Sequence, residues 1–400
     1  MEDCDLALSL GLMSGTSLDG VDAALLETDG GAHAEPLGVF FAPYSDAFRS
    51  DLRRAIAGDI DPGTLEVELT DLHADAVAHL LQTTGRKAVD IDLIGFHGQT
   101  VAHDPANGRT WQIGDGQRLA DATGIPTAFD FRTADVAAGG EGAPLAPIYH
   151  VAIAASVPER PIAILNIGGV ANITWIGARG ALIACDTGPG NGPLDDWMQT
   201  HTNHLVDQDG GFARTGHIDQ SRVKQALAAD FFSNAAPKSL DRLDFTMAMA
   251  DGLSPRDGTA TLTEITVAAI AQSIEILPEP PKRWLVTGGG RLNSWMMERL
   301  AANLEAPVDP IEAIGRDGDN LEAEAFAYLA VRTKAGLPIS FPGTTGAPSP
   351  MTGGRIAYPS PPKTGSYLAV EASSASPSAS SASSSGGANS SASSSRRLST

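Results

Sequence analysis

Asp186 ends an apolar run and opens the stretch Asp186-Thr187-Gly188-Pro189-Gly190-Asn191, just ahead of a helix-like segment at 193–201. A carboxylate at the carboxyl end of a strand, followed by a glycine-rich turn and a helix start, projects into a cleft beside backbone N–H groups that can receive phosphate. That placement suits Asp186 to act as a base. The plainer alternative is a turn or helix-capping aspartate, a role that Asp195 or Asp196 fits better.

A second cluster, Gly15-Thr16-Ser17-Leu18-Asp19-Gly20-Val21-Asp22, sits between two apolar runs. A short turn of glycine and hydroxyl residues can present backbone N–H groups and Ser or Thr hydroxyls to phosphate oxygens. It lacks the Gly-Lys-Ser/Thr ending of a Walker loop, and the first lysine of the chain is Lys87. A phosphate site without lysine leans on a divalent cation, which Asp19 and Asp22 could hold directly or through water. An ordinary hairpin turn, using Gly and Asp for positive φ, is the alternative. The run Gly288-Gly289-Gly290 again joins a strand-like run to a helix-like one and allows close approach of a flat adenine or ribose.

Between these lie His97-Gly98-Gln99, the stretch from Asp130 through Arg132 to Asp135, and Gly139-Gly140-Glu141-Gly142. Polar side chains at strand ends and in glycine loops can read sugar hydroxyls, and a guanidinium fork can read a carboxylate. Arg132 leads for that task, with an ion pair to Asp130 or Asp135 as the structural alternative. His97 and His103 lack two further ligands at zinc spacing.

These residues need elements to hold them. Apolar runs of strand length at 6–13, 21–26, 91–96, 162–167, 181–185 and 284–287 each end at a turn rich in Gly, Asp, Asn or Thr. Helical periodicity runs between them, for example at 47–56, 64–84, 263–276, 292–304 and 323–334. The alternation predicts an α/β protein. The runs at 6–13 and 21–26 are too close for a crossover and predict a hairpin, as do 162–167 and 171–176. A hairpin opening each half predicts two related lobes facing one cleft.

The chain carries 48 acidic against 27 basic residues, a formal charge of −21 that opposes binding to nucleic acid or anionic lipid. No apolar run approaches the ~18 residues that cross a bilayer, and the acidic start of the chain is unlike a secretory signal. The expected address is the cytoplasm, with Cys4 and Cys185 as reduced thiols. Residues 371–400 are dominated by serine and small residues and predict a disordered tail.

Taken together, 11–22, 97–100, 130–145, 166–173, 186–191, 288–290 and 321–326 resemble the anhydro-N-acetylmuramic acid kinase family of the sugar kinase, Hsp70 and actin superfamily. The resemblance implies a two-lobed actin-like, ribonuclease H-like ATPase fold with a central cleft. One lobe comprises 1–128 plus about 340–370 and the other 129–339. It implies a kinase that uses ATP, Mg2+ and water to open 1,6-anhydro-N-acetylmuramic acid and phosphorylate O6 in peptidoglycan recycling, with Asp186 activating the water. Gly15 through Asp22, with Gly168, Gly188, Gly190, Asn191, Gly288, Gly289 and Gly290, are the implied nucleotide positions, and Asp19 and Asp22 the metal positions. His97, Gln99, Arg132 and Glu322 fall on the sugar, although Glu322 also reads as a solvated residue at a helix start. Glu141 stands where the family often carries glutamine. The partners are then ATP and an amino sugar, without nucleic acid or membrane, and a homodimer is allowed. Another actin-like sugar kinase, or a sensor of ATP or amino sugar that does not turn over, are the competing readings.

Overall fold

The computed structural model describes residues 6–15 and 17–361. Thr16, Cys4 and the 371–400 tail fall outside the described residues. Two sheets repeat one strand order. In the first, β1 (Ala7–Met13), β2 (Gly20–Thr28) and β3 (Ala34–Pro43) form an antiparallel meander. β4 (Leu93–Phe96) then adds parallel to β1. A separate antiparallel ribbon follows, β5 (Gln99–Asp104) with β6 (Arg109–Ile113), before β7 (Thr127–Phe129) extends the sheet parallel to β4.

The second sheet repeats the pattern. β8 (Ile162–Ile167), β9 (Val170–Ile176) and β10 (Leu182–Pro189) are the meander. β11 (Trp284–Thr287) lies parallel to β8, and β12 (Val308–Pro310) parallel to β11. The short β13 (Arg355–Ala357) returns to the first sheet beside β7. Three antiparallel strands followed by two parallel ones, used twice, are the two-lobed ribonuclease H-like architecture of actin-like ATPases.

The parallel strands are buried on both faces and read as continuous apolar runs: every residue of β4 and β11 is buried. Helices are started by local chemistry. Ser254 caps the helix Pro255–Gln272 by accepting from the Asp257 N–H, with proline at the first turn where a missing N–H costs nothing.

The helix Leu321–Lys334 falls in the stretch 129–339 expected to build the second lobe, yet it packs across β1, β2 and β4 of the first sheet. Gly11 and Gly95, paired across β1 and β4, make this fit. A Cβ on either would collide with the carbonyl oxygen of Ala323 or Phe326, so the helix backbone rests directly on the strands. One apolar cluster, including Leu26, Tyr149, Ile162, Ile164, Leu285 and Tyr328, joins residues of both sheets.

Candidate active site

The turn between β1 and β2 is tight. The Leu18 N–H donates to the Gly15 carbonyl at 3.3 Å, and Leu18 sits at φ 54°, a left-handed conformation that costs a branched residue roughly 1–2 kcal/mol. Ser17 Oγ donates to Asp19 Oδ1 at 2.5 Å. The space a side chain at Gly15 would take is open, its nearest neighbour being Ser17 Oγ at 3.8 Å. Gly20 and Val21 belong to β2 instead, paired with Pro43 and Ala42, and the Val21 side chain is in the core. Behind the turn, Tyr44 Oη donates to Ser14 Oγ, which donates to Gln99 Oε1 at 2.6 Å. Gln99 is thus buried and engaged by the turn.

Asp22 collects like charge. Burial first, then Asp19, Glu322 and Asp319, push its carboxyl up to about 7. Asp319 is itself bound by the buried Arg291 guanidinium at 2.8 Å. Among the described residues no three His, Cys, Asp or Glu side chains converge as a protein cage for a metal. Carboxylates that repel one another at the mouth of the turn fit a hard cation that keeps most of its ligands from water and phosphate, which is how Mg2+ is commonly held.

Arg132 is held by neutral partners. Its Nε and Nη2 donate to His97 Nε2 at 3.1 and 2.9 Å, and Nη1 donates to the Gly142 carbonyl at 2.8 Å. His97 Nδ1 lies 2.8 Å from the Gly98 carbonyl and must carry the proton, which leaves Nε2 as acceptor. Burial and the Arg132 charge hold His97 well below the usual imidazole range, so it stays neutral. Burial also brings Arg132 down to about 10, opposed by Glu322 and Asp135. The ion-pair alternatives are otherwise occupied. Asp130 pairs with Arg355 at 3.1 Å, and Asp135 accepts from Ser340, Thr345 and the Gly142 N–H. Glu322 retains solvent contact on the first turn of its helix, yet the surrounding protein raises its carboxyl, with Arg132 opposing. Glu141 is exposed, and its N–H donates to Thr345.

In the second lobe three turns meet. The N–H groups of Gly190, Asn191 and Gly192 donate to the carbonyls of Gly169, Gly168 and Gly169, so the turn after β10 is stitched to the turn between β8 and β9. Gly288, at φ 73°, lies against Asn166 and Ile167, and a Cβ on Gly289 would come 3.5 Å from Asn191 Nδ2. The Gly190 and Asn191 N–H groups therefore lock the turns together. A bulge between Asp186 and Gly188 interrupts the pairing of β10 with β9 and re-aims the strand end. Asp186 Oδ2 accepts from the Leu240 N–H at 2.7 Å. Burial raises its carboxyl to about 6 against the pull of that hydrogen bond and of Lys238.

The model of the family described as anhydro-N-acetylmuramic acid kinase matches residues 7–359. The chain belongs to the anhydro-N-acetylmuramic acid kinase family. It is 51% identical over 364 residues to the anhydro-N-acetylmuramic acid kinase of Acidiphilium cryptum, covering 88% of this chain and 99% of the relative. It is 49% identical over 364 residues to that of Zymomonas mobilis, covering 88% and 100%. Among solved structures it is similar to the activator of the 2-hydroxyisocaproyl-CoA dehydratase from Clostridium difficile, with TM-score 0.43, 12% identity and coverage of 82% of this chain and 96% of that one. It is also similar to a ROK family glucokinase from Streptomyces griseus, with TM-score 0.39, 14% identity and coverage of 81% and 99%.

In this member of the anhydro-N-acetylmuramic acid kinase family, sequence reasoning missed the groups that set the state of Asp186. Lys238 donates to the Phe231 carbonyl at 2.9 Å and lies over the Phe231 ring, and Leu240 reaches Asp186 across 54 residues. No spacing rule links such positions. It also missed Asp319 and the Tyr44 to Ser14 link. Among the described residues no helix is long and apolar enough to cross a membrane.

Proposed function

We propose that this family member is the enzyme for which its relatives are named: an ATP-dependent kinase that opens 1,6-anhydro-N-acetylmuramic acid with water and phosphorylates O6, giving N-acetylmuramic acid 6-phosphate and ADP. The observation that carries the reading is Asp186, a carboxyl raised to about 6 and steadied through one oxygen by a single backbone N–H. Such a group is ionised at neutral pH and basic enough to accept a proton from water in the transition state.

The steps balance as follows. The water oxygen bonds to the anomeric carbon as its proton passes to Asp186, and the bond from that carbon to O6 breaks. O6 then bonds to the γ-phosphorus while the bond to the β,γ-bridging oxygen breaks, and ADP leaves with that electron pair. Arg132, whose contact partners are neutral, reads the acid group of the sugar, with His97 keeping the fork in place and Glu322 near the sugar hydroxyls. Gly15 through Asp19 border the phosphates, and Gly168 and Gly289, where an added Cβ would meet nothing closer than 3.5 Å, accept the nucleotide. Asp19 and Asp22 would hold Mg2+, which when bound offsets phosphate charge. The product's place is the cytoplasm, where ATP is available.

The deciding experiment supplies the protein with anhydro-N-acetylmuramic acid, ATP and Mg2+ in 18O-labelled water and weighs the product. Label at the anomeric hydroxyl of a 6-phosphosugar is expected. An unlabelled phosphosugar, or ADP release without sugar phosphate, overturns the coupled reaction.

A further inference from the structure

The stitched glycine turns raise a question of charge. Three N–H groups at the start of the helix Gly192–His201 are spent on the carbonyls of Gly168 and Gly169, and the facing turn in the first lobe carries Asp19 and Asp22. Two nearby cations are committed elsewhere. Arg291 is buried and bound to Glu312, Asp319 and the Gly288 carbonyl, and Lys238 is bound to the Phe231 carbonyl.

Arg242 is placed differently. Its Nε lies 3.6 Å from where a Cβ on Gly169 would sit and 3.3 Å from one on Gly192, so its stem crosses the mouth of both turns. Half its side chain is exposed, and its one hydrogen bond among the described residues goes from Nη2 to Asp196 at 2.8 Å. Two residues earlier, the same loop gives Asp186 its hydrogen bond through Leu240. We propose that Arg242 contacts the transferring phosphoryl group, with Asp196 holding the guanidinium over the glycine turns until nucleotide is present. This rests on the kinase reading above. A planar guanidinium suits the task because it can donate two N–H groups to oxygens on which charge is spread during transfer.

The test compares Arg242→Met, Arg242→Lys and Asp196→Asn with the unaltered protein, measuring kcat and KM for ATP and for the sugar. Removing a donor that acts in the transition state is expected to lower kcat ~100- to 1,000-fold with KM values changed by less than about three-fold. Arg242→Lys should regain roughly ten-fold of the loss by restoring the charge without the fork. Asp196→Asn loosens the guanidinium without removing it, so its kcat should fall by no more than about ten-fold, well short of Arg242→Met.

If the ion pair is merely structural, Asp196→Asn will fall as far as Arg242→Met, and the inference is overturned. It is overturned equally if Arg242→Met keeps its kcat. Should Arg242→Met lose its cooperative unfolding transition, Arg242→Lys decides the question: a kcat ~10- to 100-fold below the unaltered protein with KM values kept is expected, and a kcat within about three-fold overturns the inference. Absence of sugar phosphate from the unaltered protein instead removes the kinase reading itself, which separates the two failures.

Discussion

The turn between β1 and β2 and the turn between β8 and β9 occupy equivalent places in the two sheets and differ in the side chains that surround them. The first gathers Asp19 and Asp22, and burial with neighbouring carboxylates lifts Asp22 to about 7. The second is bare glycine, stitched to the next turn, with Arg242 across it and Asp186 at the adjacent strand end. Repeated topology brings strand ends to one cleft; it does not decide what they carry. A polyanionic nucleotide in a chain of formal charge −21 needs a cation on the acidic side and unhindered backbone on the other.

Asp186→Asn removes the carboxylate that the second turn places at its strand end. Loss of a general base is expected to lower turnover ~1,000- to 10,000-fold, while calorimetry finds ATP binding retained. Parallel loss of ATP affinity would move Asp186 from the base role to nucleotide binding. The variant should also unfold at higher temperature at pH 7.5, since it no longer buries a charge.

The lobes also differ in what glycine is for. Gly11 accepts a helix backbone, whereas Gly289 is exposed and a Cβ there would meet only Asn191 Nδ2, at 3.5 Å. Gly11→Ala is expected to destabilise the fold by about 3 kcal/mol or more, because neither the strand nor the helix carbonyl can yield. Gly289→Ala should leave the melting temperature nearly unchanged and weaken ATP binding. Matching effects at the two positions would erase the distinction. Arg132→Gln ranks next. Losing a charged hydrogen-bonding partner of a carboxylate is worth ~2–3 kcal/mol, so KM for the acid sugar should rise roughly 30- to 150-fold with KM for ATP unaltered. A sugar amide in place of the acid should lose the difference between variant and unaltered protein.

The strand-end motifs were legible because glycine clusters and carboxylates have few uses at the ends of buried strands. Both opening hairpins, and the helices at 47–56, 64–84 and 193–201, were visible in apolar spacing. β3 was not: Pro36 and Gly38 punctuate it, and Leu37, Val39 and Phe41 are exposed, so it does not stand out as an apolar run. β7, β12 and β13 have three residues each, too few for a period. The helix Leu321–Lys334 was legible as a helix and misplaced by lobe, since chain order says nothing of Gly11 and Gly95 waiting on the first sheet. Lys238 and Arg242 lie in a stretch of short turns without periodicity, and their neighbours are supplied only by tertiary packing.

The pH dependence of turnover reports on the second lobe alone. Asp186 must be ionised to take a proton, so kcat should fall with decreasing pH, reaching about one-tenth of its plateau one pH unit below a midpoint near 6. Stability runs the other way. The folded-state value lies above the ordinary 3.8, so the folded protein binds the extra proton between about pH 4 and 6; this group's contribution is full below that window and is lost as pH rises through 6. Lys238 draws the Asp186 carboxyl downward, and Lys238→Met should move the kinetic midpoint to higher pH, costing roughly two-fold in kcat at pH 6.5 and almost nothing at pH 8. A loss that persists unchanged at pH 8 would mean that Lys238 touches the reacting groups instead of setting the charge of Asp186. A midpoint that stays put would mean that burial and the Leu240 N–H set it without Lys238.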